Sequence, residues 1–221
     1  MPTVITEDVQ IDIPEWVTNL AAFRQWADDD DFPEKGNIWW LSGKVWADMS
    51  KEQIFTHLDV KGEYYHVLKW LAKADKLGRV WPDGLLVTNV NAGFSGKPDV
   101  TFVSFAAIEE GRVVLVKGRS NGFIEIDGSP DMLLEVVSDS SEVKDCDILL
   151  DAYYQAGVQE YWLVDARQDP LSFDIYRRDP REFVPVRRQG GWLKSAVFGK
   201  SFRLTREVDQ TGRPEYRLEV K

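Results

Sequence analysis

The chain has 221 residues, with 27 Lys and Arg against 37 Asp and Glu, a formal net charge of −10 with both histidines neutral. At 43% hydrophobic and 29% charged residues it reads as a globular protein long enough to bury a sizeable core, not as a disordered one. The acidic balance excludes a protein that coats nucleic acid by bulk charge, but not an enzyme that meets it through a local patch or a bound metal.

Met1 to Trp16 has neither the basic nor the apolar region of a secretory signal. No apolar run approaches the roughly 18 residues of a membrane span, so a cytoplasmic chain with no membrane partner is expected. Trp16, Leu20, Phe23 and Ala27 fall at helical spacing over residues 15–27. The run Asp28 to Asp31 opposes the helix dipole and ends that helix as a solvated linker. Residues 38–48 predict a hairpin turning at Ser42 and Gly43. Ser50 and Gln53 form a capping-box signature before a helix with Ile54, Leu58, Tyr65, Leu68 and Ala72 along one face. Gly62 within it suggests a bend or a close contact. Short strands are expected at 79–81, 85–89, 100–103, 112–117 and 123–126.

Met132 to Val137 is an apolar run broken only by Glu135. A polar turn, a helix, Gly157 at a C-cap position and the strand Tyr161 to Val164 follow, a βαβ unit with a parallel strand pair. The helix places Cys146, Leu149, Leu150, Tyr153 and Tyr154 on one face. Cys146 is the one cysteine, which excludes an internal disulfide framework and fits a reducing compartment. Beyond residue 168 the pattern is short strands and turns. This part holds 12 Lys and Arg against 8 Asp and Glu, a net of +4, whereas residues 1–167 carry −14. Arg177, Arg178, Arg181, Arg187 and Arg188 serve equally as phosphate contacts or as a solubilising face.

Strand alternation puts Glu135 on a face with Leu133 and Val137, and Met132, Leu134 and Val136 on the other. A carboxylate in a strand apolar on both faces costs several kcal/mol unless it is paired, protonated or bound to a cation. Asp99, after Pro98 at the start of the strand Val100 to Val103, is its natural companion. Two such carboxylates on adjacent strands can share a hard divalent cation, magnesium or manganese rather than zinc. Pro82-Asp83 and Pro130-Asp131 read as turns.

Pro98-Asp99, Leu133 to Ser138, Lys144-Asp145, Tyr153, Ala156-Gly157-Val158 and Glu160 to Asp165 resemble the Uma-two family of the PD-(D/E)XK nuclease superfamily. The segment Glu52 to Gly62 resembles the family's N-terminal helix, and Gly191-Trp192-Leu193 to Phe202 the tail of one subgroup. The resemblance implies an α/β, restriction-endonuclease-like fold: a mixed central sheet flanked by helices, with a β-rich C-terminal extension. It divides the chain into an N-terminal helical extension (1–33), an endonuclease-like core (34–167) and the C-terminal extension (168–221), packed on the same domain. It further implies magnesium- or manganese-dependent hydrolysis of phosphodiester bonds in DNA, with Asp99 and Glu135 holding the metal.

The superfamily's lysine two residues after the glutamate is Val137 here, and the family's alternative position on the following helix is Leu149. Lys144 is the nearest substitute for the catalytic amine. On an ideal helix it would lie on the polar side, paired at the surface with Asp147. Lys61 and Lys97 are other donors, His57 and Lys61 are neighbours four residues apart, and Asp145 suits the helix N-terminus or a supporting place in the site. Glu52 or Glu63 would add a ligand from the earlier helix. A homodimer would suit cleavage of both strands. The displaced lysine also raises an alternative, a catalytically degenerate member that binds nucleic acid or protein. A sugar-binding or glycoside-acting protein, suggested by nine tryptophans, ranks below both.

Overall fold

A computed structural model describes residues 3–5, 10–33, 36–48 and 51–221. β1 (Thr3–Ile5) and β2 (Gln10–Asp12) pair antiparallel and lead into α1 (Leu20–Ala27). The helix starts later than its periodicity predicts, because the Asn19 side chain accepts the Ala22 N–H at 2.9 Å as N-cap and leaves Trp16 exposed ahead of it. β3 (Asn37–Leu41) and β4 (Lys44–Asp48) form the expected hairpin, with Ser42 and Gly43 at φ 51° and 78°, as a type I′ turn requires. Ser50 of the capping box and part of Met1 to Trp16 lie outside the described residues.

A π-helical turn (Ile54–Asp59) runs into α2 (Val60–Ala74). It shifts the helical phase, so Ile54 and Leu58 are exposed rather than on the buried face, which Val60, Tyr64, Leu68, Leu71 and Ala72 make instead. Gly62 meets nothing, so the departure from regular helix precedes it. There follow β5 (Gly78–Pro82), β6 (Leu86–Asn89), β7 (Phe94–Gly96) and β8 (Val100–Ser104). Next come α3 (Phe105–Glu109), β9 (Val113–Lys117), β10 (Phe123–Gly128) and β11 (Met132–Val136). A second π-helical turn (Lys144–Ile148) opens α4 (Leu149–Gln155), which leads to β12 (Glu160–Asp165). β13 (Ser172–Arg178), β14 (Phe183–Pro185), β15 (Leu193–Lys194), β16 (Ser201–Val208) and β17 (Pro214–Val220) complete the chain.

The central mixed sheet has the order β14-β13-β12-β11-β8-β5, with β11 and β12 parallel as the βαβ reading requires. A second six-stranded sheet, β4-β3-β7-β6-β10-β9, and a three-stranded sheet, β15-β16-β17, accompany it. The two faces of β11 separate cleanly. Met132, Leu134 and Val136 join one core with Tyr64 and Leu68 of α2 and with Phe202, Leu204 and Leu218 of the C-terminal hairpin. Leu133 faces the other core, with Leu149, Tyr153 and Tyr161, and with Trp39 and Phe94 of the second sheet. Each such side chain contributes roughly 1.5–3 kcal/mol on burial. Gly157 closes α4 at φ 80°, and a Cβ there would stand 2.6 Å from Ser129 Oγ.

Glu160 opens β12 and is fully buried. It accepts from Ala196 N and Ser195 Oγ, each at 2.6 Å, and from Trp162 Nε1 at 3.0 Å, and so ties the strand to the segment before β16. Glu160→Ala strands these donors and is expected to cost about 3 kcal/mol, against under about 1.5 kcal/mol for Glu160→Gln. Urea unfolding of the two variants checks this; equal stability of Glu160→Ala and the parent would contradict it. No helix among the described residues is long and apolar enough to cross a membrane.

Candidate active site

Asp99 and Glu135 are brought together by the β8–β11 pairing. The antiparallel register sets Val100 against Leu134, so Asp99, one residue before β8, lies beside the end of β11. Its Oδ2 accepts the Val136 N–H at 2.7 Å. Both carboxyls are nearly inaccessible, Asp99 5% and Glu135 3% exposed. They open on a cleft of about 380 Å³. Burial pushes the Glu135 carboxyl well above the usual range, Asp99 and Asp145 add to this, and Lys144 and the Tyr153 hydroxyl that donates to Glu135 Oε1 oppose it. Burial raises Asp99 too, partly offset by Lys61 and His57.

Lys144 is not at the surface with Asp147. The π-helical turn rotates it inward, where it is 9% exposed, with Nζ 3.0 Å from Asp145 Oδ1 and 4.3 Å from the centre of the Trp39 ring. Burial disfavours its ammonium, but Glu135 and Asp145 outweigh this and hold its pKa above the ordinary lysine value. Asp145 is 1% exposed and accepts from Ser141 Oγ. The family-matched Leu149 is fully buried in the core and cannot supply an amine.

The first π-helical turn plays the same part on the opposite wall. His57 is buried, with Nε2 3.7 Å from Asp99 Oδ2 and Nδ1 3.6 Å from Glu52 Oε2. Lys61 Nζ stands 2.7 Å from Glu52, 3.1 Å from Asp83 and 3.3 Å from Asp99. Burial works against its ammonium, but Asp99, Asp83 and Glu52 keep it protonated. Lys97 lines the cleft, its pKa lowered by burial. Glu52 is thus part of the site. Glu63 is not, because its Oε1 accepts the Leu218 N–H at 2.7 Å. Asp83, read from sequence as a turn residue, is a member that pattern alone did not reveal, and so are Trp39 and Asp48, which line the cleft.

Six carboxylates line the cleft: Asp48, Glu52, Asp83, Asp99, Glu135 and Asp145. They outnumber the nearby lysines and produce the excess negative charge that a cation would relieve. His57 Nδ1 and Asp145 Oδ1 are buried without a hydrogen bond, the latter held only by its ionic contact with Lys144. Among the described residues no three or more His, Cys, Asp or Glu side chains form a ready metal cage. The donor set of two buried carboxylates beside open space fits magnesium, which binds through one or two carboxylates and keeps several waters.

One arginine holds the wall that carries Lys144. Arg167 donates to Ser138 O at 3.2 Å, Asp139 at 3.1 Å, Glu142 at 2.9 Å and Asp165 at 2.8 Å. It thereby straps the loop between β11 and the second π-helical turn to the end of β12. Arg167→Ala is expected to cost about 1–2 kcal/mol and to increase hydrogen exchange over residues 138–145. Unchanged exchange in that loop would refute the strap. Of the C-terminal arginines, Arg178 packs on the Tyr154 ring at 4.2 Å and Arg188 donates to Phe173 O at 2.6 Å, so both serve the fold.

Fold and site together define a restriction-endonuclease-like α/β protein whose acidic cleft holds buried lysines. The model of the Uma2 family, described as "Putative restriction endonuclease", matches residues 20–207, and the chain belongs to that family. It is similar to the crystal structure of a "putative nuclease belonging to DUF820" from Anabaena variabilis ATCC 29413, at 17% identity and a TM-score of 0.60. The match covers 82% of this chain and 90% of that one. None of the curated proteins matches the chain.

Proposed function

We propose that the chain is a magnesium- or manganese-dependent endonuclease that hydrolyses phosphodiester bonds in DNA. The observation that carries this reading is the meeting of buried Asp99 and Glu135 at one cleft that Lys144, paired with Asp145 at 3.0 Å, also lines. Asp99 and Glu135 would hold the metal. A divalent cation there supplies charge neutralisation on the phosphoryl oxygens and a more acidic water.

The protein's own groups perform the remaining tasks. The Val136 N–H fixes Asp99, and the Tyr153 hydroxyl fixes Glu135. Lys144 keeps its proton and offers N–H donors to the charge that develops on the phosphate. Its place against Trp39 and Asp145 limits the motion of the ammonium. Lys61, surrounded by three carboxylates, positions Asp99 rather than the substrate. His57, between Glu52 and Asp99, supports the same wall.

One observation favours the alternative of a degenerate site that only binds: Lys61 and Lys144 already compensate part of the acidic charge. Incubating supercoiled plasmid DNA with the protein and magnesium, then with EDTA, separates the two. The nuclease reading expects nicked or linear product that EDTA abolishes. Binding without product over linear, supercoiled and single-stranded DNA would favour the degenerate site.

A further inference from the structure

A second groove, of about 450 Å³, runs along β5 between the C-terminal half of α2 and the start of α3. β5 is the outermost strand of the central sheet, so this groove follows an open edge. Four cations line it: Lys69, Lys73, Lys76 and Arg79, all exposed. Among the described residues none of the four has an ion pair with a carboxylate, and Lys69 contacts only Tyr65. Three aromatic rings also line it: Tyr65, half-buried, Trp81, half-buried with part of its ring packed on the core, and Phe105, 41% exposed. In a part of the chain that carries −14 overall, this is a local concentration of unpaired positive charge beside flat apolar faces.

Two elements run from the groove towards the acidic cleft. Trp81 stands two residues before Asp83, which lines that cleft. Lys61 and Lys69 lie eight residues apart on α2, about 12 Å along its axis.

We propose that this groove binds a single-stranded polynucleotide and leads it towards the Asp99–Glu135 cleft. The second clause rests on the nuclease reading; the binding does not. Unpaired lysines and arginine contact phosphates without regard to sequence. Aromatic rings that open on such a groove, Phe105 above all, stack on base faces, which single strands offer and duplexes hide. A partner β-strand is the poorer occupant, since Arg79 and Pro82 place a charge and a missing N–H on this edge. An acidic peptide would satisfy the cations but leave the rings unused.

The test uses the full chain in EDTA, with fluorescence anisotropy of labelled dT20 and rU20 and of a 20-base-pair duplex. Lys69→Glu/Lys73→Glu/Arg79→Glu is expected to weaken binding of the tighter single strand at least tenfold. It should also reduce the slope of log affinity against log salt by about 2, at about 0.7 for each phosphate that is no longer neutralised. Lys73→Glu/Lys76→Glu, at the exposed helix end, is expected to weaken it at least threefold. Which of dT20 and rU20 binds tighter names the polymer. Unchanged affinity and slope in both variants would overturn the proposal, as would duplex binding equal to single-strand binding. So would displacement by polyglutamate at equal charge concentration, which would assign the groove to an acidic protein. Magnesium-dependent hydrolysis of bis(p-nitrophenyl) phosphate reads the cleft alone and is expected to be equal in parent and groove variants. If neither hydrolyses it while the groove still binds dT20 or rU20, the nuclease reading fails and the groove stands.

Discussion

Asp99→Asn and Glu135→Gln are each expected to lower magnesium-dependent cleavage about a thousandfold, roughly 4 kcal/mol of transition-state stabilisation. Glu135→Gln is expected not to weaken the fold. Glu135 is buried, and its pKa in the folded protein is raised by that burial. The unfolded chain ionises near the ordinary value of about 4.3. As pH rises from there towards the raised folded value, ionisation costs the native state more than the unfolded one, so the parent loses stability across that window. Glu135→Gln removes this cost while its amide oxygen can still accept from Tyr153. The variant should therefore melt above the parent in EDTA, with a gap that widens from about pH 4.3 upwards. Thermal melts at several pH values, set beside plasmid cleavage, check both halves. A variant that is inactive because it unfolds would contradict the functional assignment of Glu135.

Lys144→Met is expected to reduce cleavage by about 10²–10³, the usual cost of removing one donor from a developing oxyanion. Metal affinity should hold or rise, since the substitution removes a competing cation beside Glu135. Methionine keeps much of the side-chain volume against Trp39, so the fold should survive. Cleavage within threefold of the parent would exclude Lys144 as the catalytic amine and direct attention to Lys97, which lines the same cleft.

Strand and helix order was legible because the central elements obey simple periodicities. Leu133 and Glu135 alternate against Met132, Leu134 and Val136, and the two sets face different cores. Lys144 was not legible in the same way. A 100° step per residue assumes a regular helix, and the π-helical turn, with more residues per turn, narrows that step where Lys144 and Asp145 enter the site. Ile54 and Leu58 fail for the same reason at the other wall. Asp83 reaches the cleft through the turn after β5, and its role depends on a pairing 22 residues away with Lys61 that no local pattern encodes.

Burial of a carboxylate in an apolar strand was also a blunter signal than it looks. Glu135 and Glu160 open the same question and answer it differently. Glu160 meets backbone and side-chain donors and anchors a segment, whereas Glu135 has one tyrosine, a nearby ammonium and a cleft. What separates them is the set of partners, which the fold supplies. The charge of a segment also says little about where its cations stand. In the positive C-terminal part Arg203 pairs with Glu219 and Arg206 with Asp169, whereas four exposed cations line a groove within the acidic part.

The central claim is that Asp99 and Glu135 jointly hold a divalent cation. Calorimetric titration of manganese into the parent and into Asp99→Asn/Glu135→Gln tests it most directly. Burial raises both carboxyls, so binding should release more protons and grow weaker as pH falls. A proton-releasing site is expected in the parent, and its loss in the double variant. Equal binding and equal proton release in the two proteins would contradict the claim.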